Sequence, residues 1–465
     1  MCDAIENILK HSFPRVNNVS AKLNHFTWAA CAFLLQAGLS LAADEAAVPD
    51  YATHTLTGDW GGYRSAAFSE GVAFEAGFKV DMMRNLRGGS RTGGTSMSNL
   101  DLKMRADLEK LWGWEGATAY VHVIDDHGTG INARYLGSLM GASNIEVPVP
   151  TARLFHAWVQ QTFLEEQWSL LTGLYPIDSE FSVMDSAGVL LHPAYGASAD
   201  LALTRGPSIF NNSAFGLRVK WQSPLRTWYA MGALLDGMPG DPDQPKGTHV
   251  HFRDGDGSFV IAEVGWTPIE LGHVFEPTGP ADMLQTPALK AHEKYEGYSK
   301  YAIGAWRYSN RVDDQFDIDA TGDPEKRLSW GGYVLAERTL FALGTEPGRY
   351  LSAFARYAFT DGDSTPIRAQ LNLGVNLRGP LESRSDDVLA LAWTQARPAS
   401  KYRDAQWRDS GVASTEQESA VELTYRALVK PWLSIQPNLQ WIRHPGGSAD
   451  AASATIAGMR LEVML

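Results

Sequence analysis

Cysteine is nearly absent from this 465-residue chain, and both cysteines, Cys2 and Cys31, fall within its first 42 residues. The remainder has neither disulfide staple nor thiol nucleophile. Long apolar runs are equally scarce. A helical membrane span needs about 20 consecutive apolar residues, and the one stretch that approaches this, Phe26 to Ala43, lies near the N-terminus. Sustained helical periodicity is missing beyond it. Basic charge is in deficit: 40 Lys and Arg against 53 Asp and Glu give a formal net charge of −13. With no concentrated Lys/Arg surface, nucleic acid is excluded as a partner. A composition of 44% hydrophobic and 20% charged residues also excludes disorder and a collagen-like chain. What remains is a soluble protein or a β-barrel, whose strands hide their apolar content by alternation.

The N-terminus reads as a secretory signal over residues 1–42. Phe26 to Leu39 is mostly apolar, follows Lys10, Arg15 and Lys22, and precedes the small-residue site Ser40-Leu41-Ala42. Removing these three cations together with Asp3 and Glu6 leaves a charge near −14. The leader is longer than usual, so the true start is expected downstream of Met1.

Strict alternation dominates the rest. Ala369, Leu371, Leu373, Val375 and Leu377 point one way, and Gln370, Asn372, Gly374, Asn376 and Arg378 the other. Leu100, Leu102, Met104, Ala106 and Leu108 alternate with Asp101, Lys103, Arg105 and Asp107, which puts four charges on one strand face. The same holds for Val72 to Met82, Phe215 to Trp221 and Leu433 to Trp441. A soluble β-sandwich also alternates, but its strands average about five or six residues, whereas a tilted membrane strand needs about 9 to 11.

Sixteen strands are expected, at 72–82, 100–108, 117–123, 153–162, 168–175, 214–222, 226–235, 258–266, 299–308, 331–340, 349–359, 368–378, 386–395, 419–428, 431–441 and 456–465. Their connections alternate between long and short, which is the outer-membrane pattern of long extracellular loops and tight periplasmic turns. One connection, 267–298, breaks the rule by being long on the short side. Trp112, Trp114, Trp168, Trp221, Trp228, Trp266 and Trp432 all collect at short-turn strand ends, where an interfacial aromatic belt belongs. The fold class is therefore an all-β transmembrane antiparallel barrel: residues 72–465 form the barrel, and 43–71 a periplasmic or lumenal segment with a structural role.

Several motifs carry a family resemblance: LTGDWGGYR from Leu56, GLYPIDSEF from Gly173, GMPGDP from Gly237, DGDGSFVIAEVGW from Asp254, GAWRYS from Gly304, GGYVLAE from Gly331, FARY from Phe354, RSDDVLALA from Arg384 and ELTYRALVKPWLSIQPNLQWIRHPGG from Glu422. Together they span nearly the whole chain, which resembles the carbohydrate-selective porin family of the porin B type. The resemblance implies a sixteen-stranded outer-membrane barrel, monomeric or homotrimeric, that passes sugars by passive diffusion, with no cofactor and no catalytic or metal site. The 267–298 segment and the non-aromatic last residue, Leu465, depart from the family pattern.

A sixteen-stranded barrel leaves an aqueous lumen, so inward residues are the substrate-contact candidates: Asp101, Lys103, Arg105, Asp107, Arg218, Lys220, Glu263, Arg356 and Arg378, with Glu422 and Arg426 on the same kind of face. Neutral polyols call for paired donors and acceptors with few uncompensated charges. The longest connection, 176–213, contains Asp178, Glu180, Phe181, Asp185, His192, Tyr195, Asp200 and Arg205; its length points to a functional role, and its place after the fifth strand is, by the porin resemblance, where a loop is expected to fold inward as the constriction. Asp254 and Asp256, His249 and His251, and Asp125 to His127 read as solvated loop groups. Competing functions are a general non-selective porin, a barrel lipase or protease, for which no GxSxG elbow is present, and a secreted β-sandwich lectin.

Overall fold

The computed structural model describes residues 48–268, 298–343, 348–411 and 413–465. The expected signal segment and residues 269–297 of the irregular connection lie outside the described residues.

Sixteen antiparallel strands close into one barrel. They are β1 Val72–Arg87, β2 Gly93–Asp107, β3 Ala117–Gly128, β4 Ala152–Phe163, β5 Trp168–Tyr175, β6 Ala214–Gln222, β7 Trp228–Asp236, β8 Ser258–Trp266, β9 Ser299–Ile318, β10 Pro324–Ala342, β11 Tyr350–Thr360, β12 Ile367–Arg378, β13 Val388–Pro398, β14 Glu418–Lys430, β15 Leu433–Arg443 and β16 Ala454–Met464. Each strand pairs with its sequence neighbours, and β1 pairs with β16, so every backbone ladder is satisfied and no edge remains.

Alternation sets the two faces. On β8, Val260, Val264 and Trp266 point outward and are exposed, while Phe259, Ile261 and Glu263 are buried inside. On β12, Leu373 and Val375 face outward, and Gln370, Asn372 and Asn376 inward. The outward apolar band is the lipid-facing surface. It ends in an aromatic girdle at the short-turn side: Trp228 stacks on Trp266 at 5.9 Å and Trp266 on Tyr301 at 5.5 Å, with Trp168 paired in register to Trp221.

The strand count and all sixteen positions agree with the sequence reading, but several strands extend further toward the long-loop side. β1 reaches Arg87, β2 starts at Gly93, β3 runs to Gly128, and the β9–β10 hairpin extends from Ile318 to Pro324. These extensions stand beyond the lipid band, where both faces meet water and alternation has no reason to persist. Asp126, expected to be solvated, is instead buried near the end of β3 and accepts from Asn99 and Asn211 at 2.9 and 3.0 Å.

The segment before β1 forms a latch across the β1–β16 junction. A helix over Tyr63–Ser69 carries Arg64, whose guanidinium lies over the rings of Tyr51 and Trp60 and donates to the carbonyls of Phe74 and Leu465 at 2.9 and 3.0 Å. The Leu56 amide adds a 2.7 Å bond to the Met464 carbonyl. Trp60 also meets Phe74, whose side chain is on the lipid-facing side of β1.

Candidate functional site: a strap across the lumen

The connection after β5, residues 176–213, turns into the barrel and crosses it. It has little regular structure beyond three short 3-10 turns and one helical turn, Ala199–Ala202. Its backbone polar groups therefore need partners from elsewhere once buried. Inward side chains of the opposite wall supply them.

Three strand carboxylates each take amides from this strap. Glu337 on β10 accepts from Asp185 and Ser186 at 3.2 and 2.8 Å. Glu422 on β14 accepts from Leu191 and His192 at 2.7 and 3.0 Å. Glu263 on β8 accepts from the Ser182 amide at 2.8 Å and from the hydroxyls of Tyr229 and Tyr333 at 2.6 and 2.5 Å. Those two rings can lie flat against the wall because Gly265 and Gly304 stand opposite them in register, where any Cβ would collide with the ring.

Strap carbonyls are met by cations and amides. Arg356 on β11 donates to Ser182, Ala194 and Gly196 at 2.8, 2.6 and 2.8 Å. Lys300 reaches the Val183 carbonyl at 2.7 Å, Asn372 the Ala194 carbonyl at 3.0 Å, and Gln436 the Val189 carbonyl at 2.6 Å. Underneath, Phe181, Met184, Ala187, Leu190, Tyr195 and Leu201 join a buried cluster with Trp158, Tyr229, Phe259, Trp306, Tyr333 and Phe354. The inward aromatics thus seat the strap.

At the root of the strap, Glu180 receives Arg218 at 2.8 Å and the Tyr175 hydroxyl at 2.5 Å, with Lys220 at 3.5 Å. Burial raises the Glu180 value, but Arg218 and Lys220 outweigh it and hold the carboxyl below the usual range. No cation among the described residues offsets burial at Asp178, which pushes its carboxyl up to about 6 against hydrogen bonds from the Phe210 amide, at 3.0 Å, and from its own backbone. Burial also drives His192 down to about 3, which keeps the ring neutral.

A second connection, 129–151, folds inward beside the first. Glu418 gathers the Ser138 hydroxyl and the amides of Leu139, Met140 and Gly446 at 2.6 to 3.0 Å. Asp81 binds the Arg460 guanidinium through both oxygens and accepts from Ser143 at 2.7 Å. The two inward segments touch through a 2.7 Å bond from the Asn144 amide to the Leu191 carbonyl.

Together the segments cover the inner wall from β8 to β15 and the long-loop half of β16 and β1. The strap hydrogen bonds named above fall outside the short-turn half of β16, β1, β2 and β3, where Tyr120 of β3 joins the strap's buried cluster. Here the inner face is a lattice of opposite charges: Lys103 stands opposite Glu75 in register at 3.0 Å, Lys79 meets Asp101 at 2.9 Å and faces Glu462 across the β1–β16 pair, and the His122 ring is hydrogen-bonded to Asp101 at 2.8 Å. Arg426 on β14 extends it, within electrostatic reach of Glu462, Arg378 and Asp386.

The chain matches the model of the carbohydrate-selective porin, OprB family, over residues 91–465. The chain belongs to this family. Among curated proteins it is 23% identical to Porin B of Pseudomonas aeruginosa, with 93% of this chain and 96% of that protein covered, and 22% identical to the putative porin QuiX of Acinetobacter baylyi, with 88% and 92% covered. Among solved structures it is similar to a high-pH structure of Pseudomonas putida OprB, with a TM-score of 0.77, 19% identity and coverage of 89% of this chain and 99% of that chain. A low-pH structure of the same protein aligns with a TM-score of 0.56 at 17% identity. The protein is an outer-membrane β-barrel porin, and its long connections are the extracellular ones.

In the porin the residues singled out from sequence divide into groups. Asp101, Lys103 and Arg105 stand on the uncovered wall of β2, and Arg378 at the periplasmic end of β12. Asp107 caps the turn helix Leu108–Trp112, accepting from the Glu109 and Lys110 amides, so it belongs to the periplasmic rim. Asp178, Glu180 and Phe181 form the strap root, to which Arg218 and Lys220 attach. Glu263 and Arg356 are buried beneath the strap and hold it. Sequence reasoning passed over Glu75, Lys79, His122, Glu337 and the inward fold of 129–151. A signal for the last was present, since Gly137 to Ile145 holds no charged residue.

Proposed function

We propose that this porin conducts carbohydrates by passive diffusion along the uncovered wall of β16, β1, β2 and β3. One observation carries the reading: the strap narrows the lumen against a surface on which acids and bases alternate at 2.8 to 3.0 Å. Pairing cancels much of the field that would favour simple ions, while ammonium donors and carboxylate acceptors remain to exchange hydrogen bonds with sugar hydroxyls. Asp101, Lys103 and Arg105 are the contact residues of this path, joined by Glu75 and Lys79; Arg378 lines its exit. Each closed barrel encloses its own path, so a monomer or each member of a homotrimer conducts alone. The test is swelling of proteoliposomes in isosmotic glucose, larger oligosaccharides and amino acids of glucose-like size. Faster swelling in glucose than in the amino acids is expected; equal rates for all small solutes would indicate a general porin.

A further inference from the structure

On the periplasmic half of the lumen the paired charges are not presented equally to water. In the Lys79–Asp101 pair the lysine side chain is 28% exposed and the aspartate 10%. In Lys103–Glu75 the values are 19% and 6%, and in Lys220–Glu180 they are 10% and 5%. Each time the ammonium covers the carboxylate behind it. Arg105 on β2 and Arg426 on β14 are half-buried as well. The order reverses at Arg218–Glu180, where the guanidinium is fully buried and the carboxylate 5% exposed, and at the rim, where Arg378 is 19% exposed and Asp386, in the turn before β13, 33%. A solute passing the wall therefore meets cationic tips first, in a chain whose overall charge is −13. Partly buried cations in a narrow, low-dielectric passage act on a passing charge more strongly than the same groups at an open surface.

We propose that the cargo of this porin extends to monoanionic sugar acids, that is, polyhydroxy carboxylates, which pass in preference to amino sugars of the same size. The carboxylate exchanges its water for the Lys79 and Lys103 ammonium groups in turn, and the hydroxyls use the same donors and acceptors as a neutral sugar. The inference rests on the carbohydrate-diffusion reading only for the route of the solute; the sign of charge preference stands on the exposure of the paired side chains.

The experiment compares entry of labelled gluconate, glucose and glucosamine into proteoliposomes, at low salt and at about 0.15 M salt, where the Debye length is about 8 Å. It is paired with zero-current potentials in a KCl gradient across planar bilayers. Expected results are gluconate entering severalfold faster than glucosamine, a reversal potential of the sign given by chloride preference, and a smaller bias at the higher salt. In Lys79→Gln/Lys103→Gln the gluconate-to-glucosamine ratio should fall toward or below one, with retained heat-modifiable migration on gels confirming a folded barrel. Gluconate entering no faster than glucosamine in the parent porin at low salt, or a potassium-preferring reversal potential, overturns the proposal while glucose entry still supports sugar diffusion. Exclusion of glucose with the gluconate preference intact would instead overturn the sugar reading and leave this one standing.

Discussion

Replacing Arg356 by Met should release the strap without opening the barrel. The guanidinium holds three strap carbonyls, at Ser182, Ala194 and Gly196, and is itself buried. Hydrogen bonds to a charged group contribute about 1.5–3 kcal/mol each, and carbonyls left buried without a donor cost about 1–3 kcal/mol each. The two sets describe the same three contacts, and part of the loss is offset because an arginine no longer has to be desolvated. A net weakening of strap docking by about 3–5 kcal/mol follows, or roughly two to three and a half decades in the ratio of docked to released strap. The β11 ladder is untouched, because its bonds are between backbones. Single-channel recording of Arg356→Met should show a larger and noisier conductance, proteoliposomes should admit oligosaccharides that the parent excludes, and added protease should cut within 185–190. A variant with the parent's conductance, size limit and protease resistance would refute the assignment of Arg356 as a strap anchor.

Other consequences follow from the same geometry. Gly265→Ala or Gly304→Ala should displace the ring of Tyr229 or Tyr333 from Glu263 and give a milder version of the same conductance change. The Asp178 carboxyl is raised from 3.8 to about 6, so the native strap holds its proton more tightly than the unfolded chain does. That contribution is present at low pH and is lost as pH climbs from about 4 through about 6, with a ceiling of about 3 kcal/mol; open-channel noise should rise over this window in the parent and stay flat in Asp178→Asn. Arg64→Met should weaken the β1–β16 latch by about 2–3 kcal/mol and lower the temperature at which the folded band converts on heat-modifiability gels; an unchanged midpoint would remove the latch. Leu373→Arg, near the middle of β12 and facing lipid, should cost about 2–4 kcal/mol in urea titrations of the bilayer-embedded barrel.

The barrel was legible because lipid and lumen impose a period of two on every membrane-crossing residue, and because long and short connections fall on opposite sides. Where lipid stops, so did the signal, which is why the extensions of β9 to Ile318 and of β10 from Pro324 were not foreseen. The inward residues were harder. A wide barrel is expected to be polar inside, yet Phe259, Trp306 and Phe354 face inward, because what they meet is the strap's apolar underside. Alternation marks a residue as inward without telling whether it meets water or a folded loop. Glu263 and Arg356 were read as pore wall for that reason and lie beneath the strap, whereas Lys103 and Asp101, read from the same pattern, stand on strands to which no strap anchor named above attaches. Glu337 resembled its inward neighbours Tyr333 and Leu335 only in position, and a lone carboxylate among apolar inward residues is the mark of a loop anchor.

The most direct test of the account is a titration of ion current through single channels with glucose, in the parent and in Asp101→Asn/Lys103→Gln. If sugars travel along the charged wall, glucose should interrupt the parent's current in a saturable way, and the double variant should need severalfold more glucose for the same block. Block of equal strength in both would place the sugar elsewhere in the lumen and contradict the central claim.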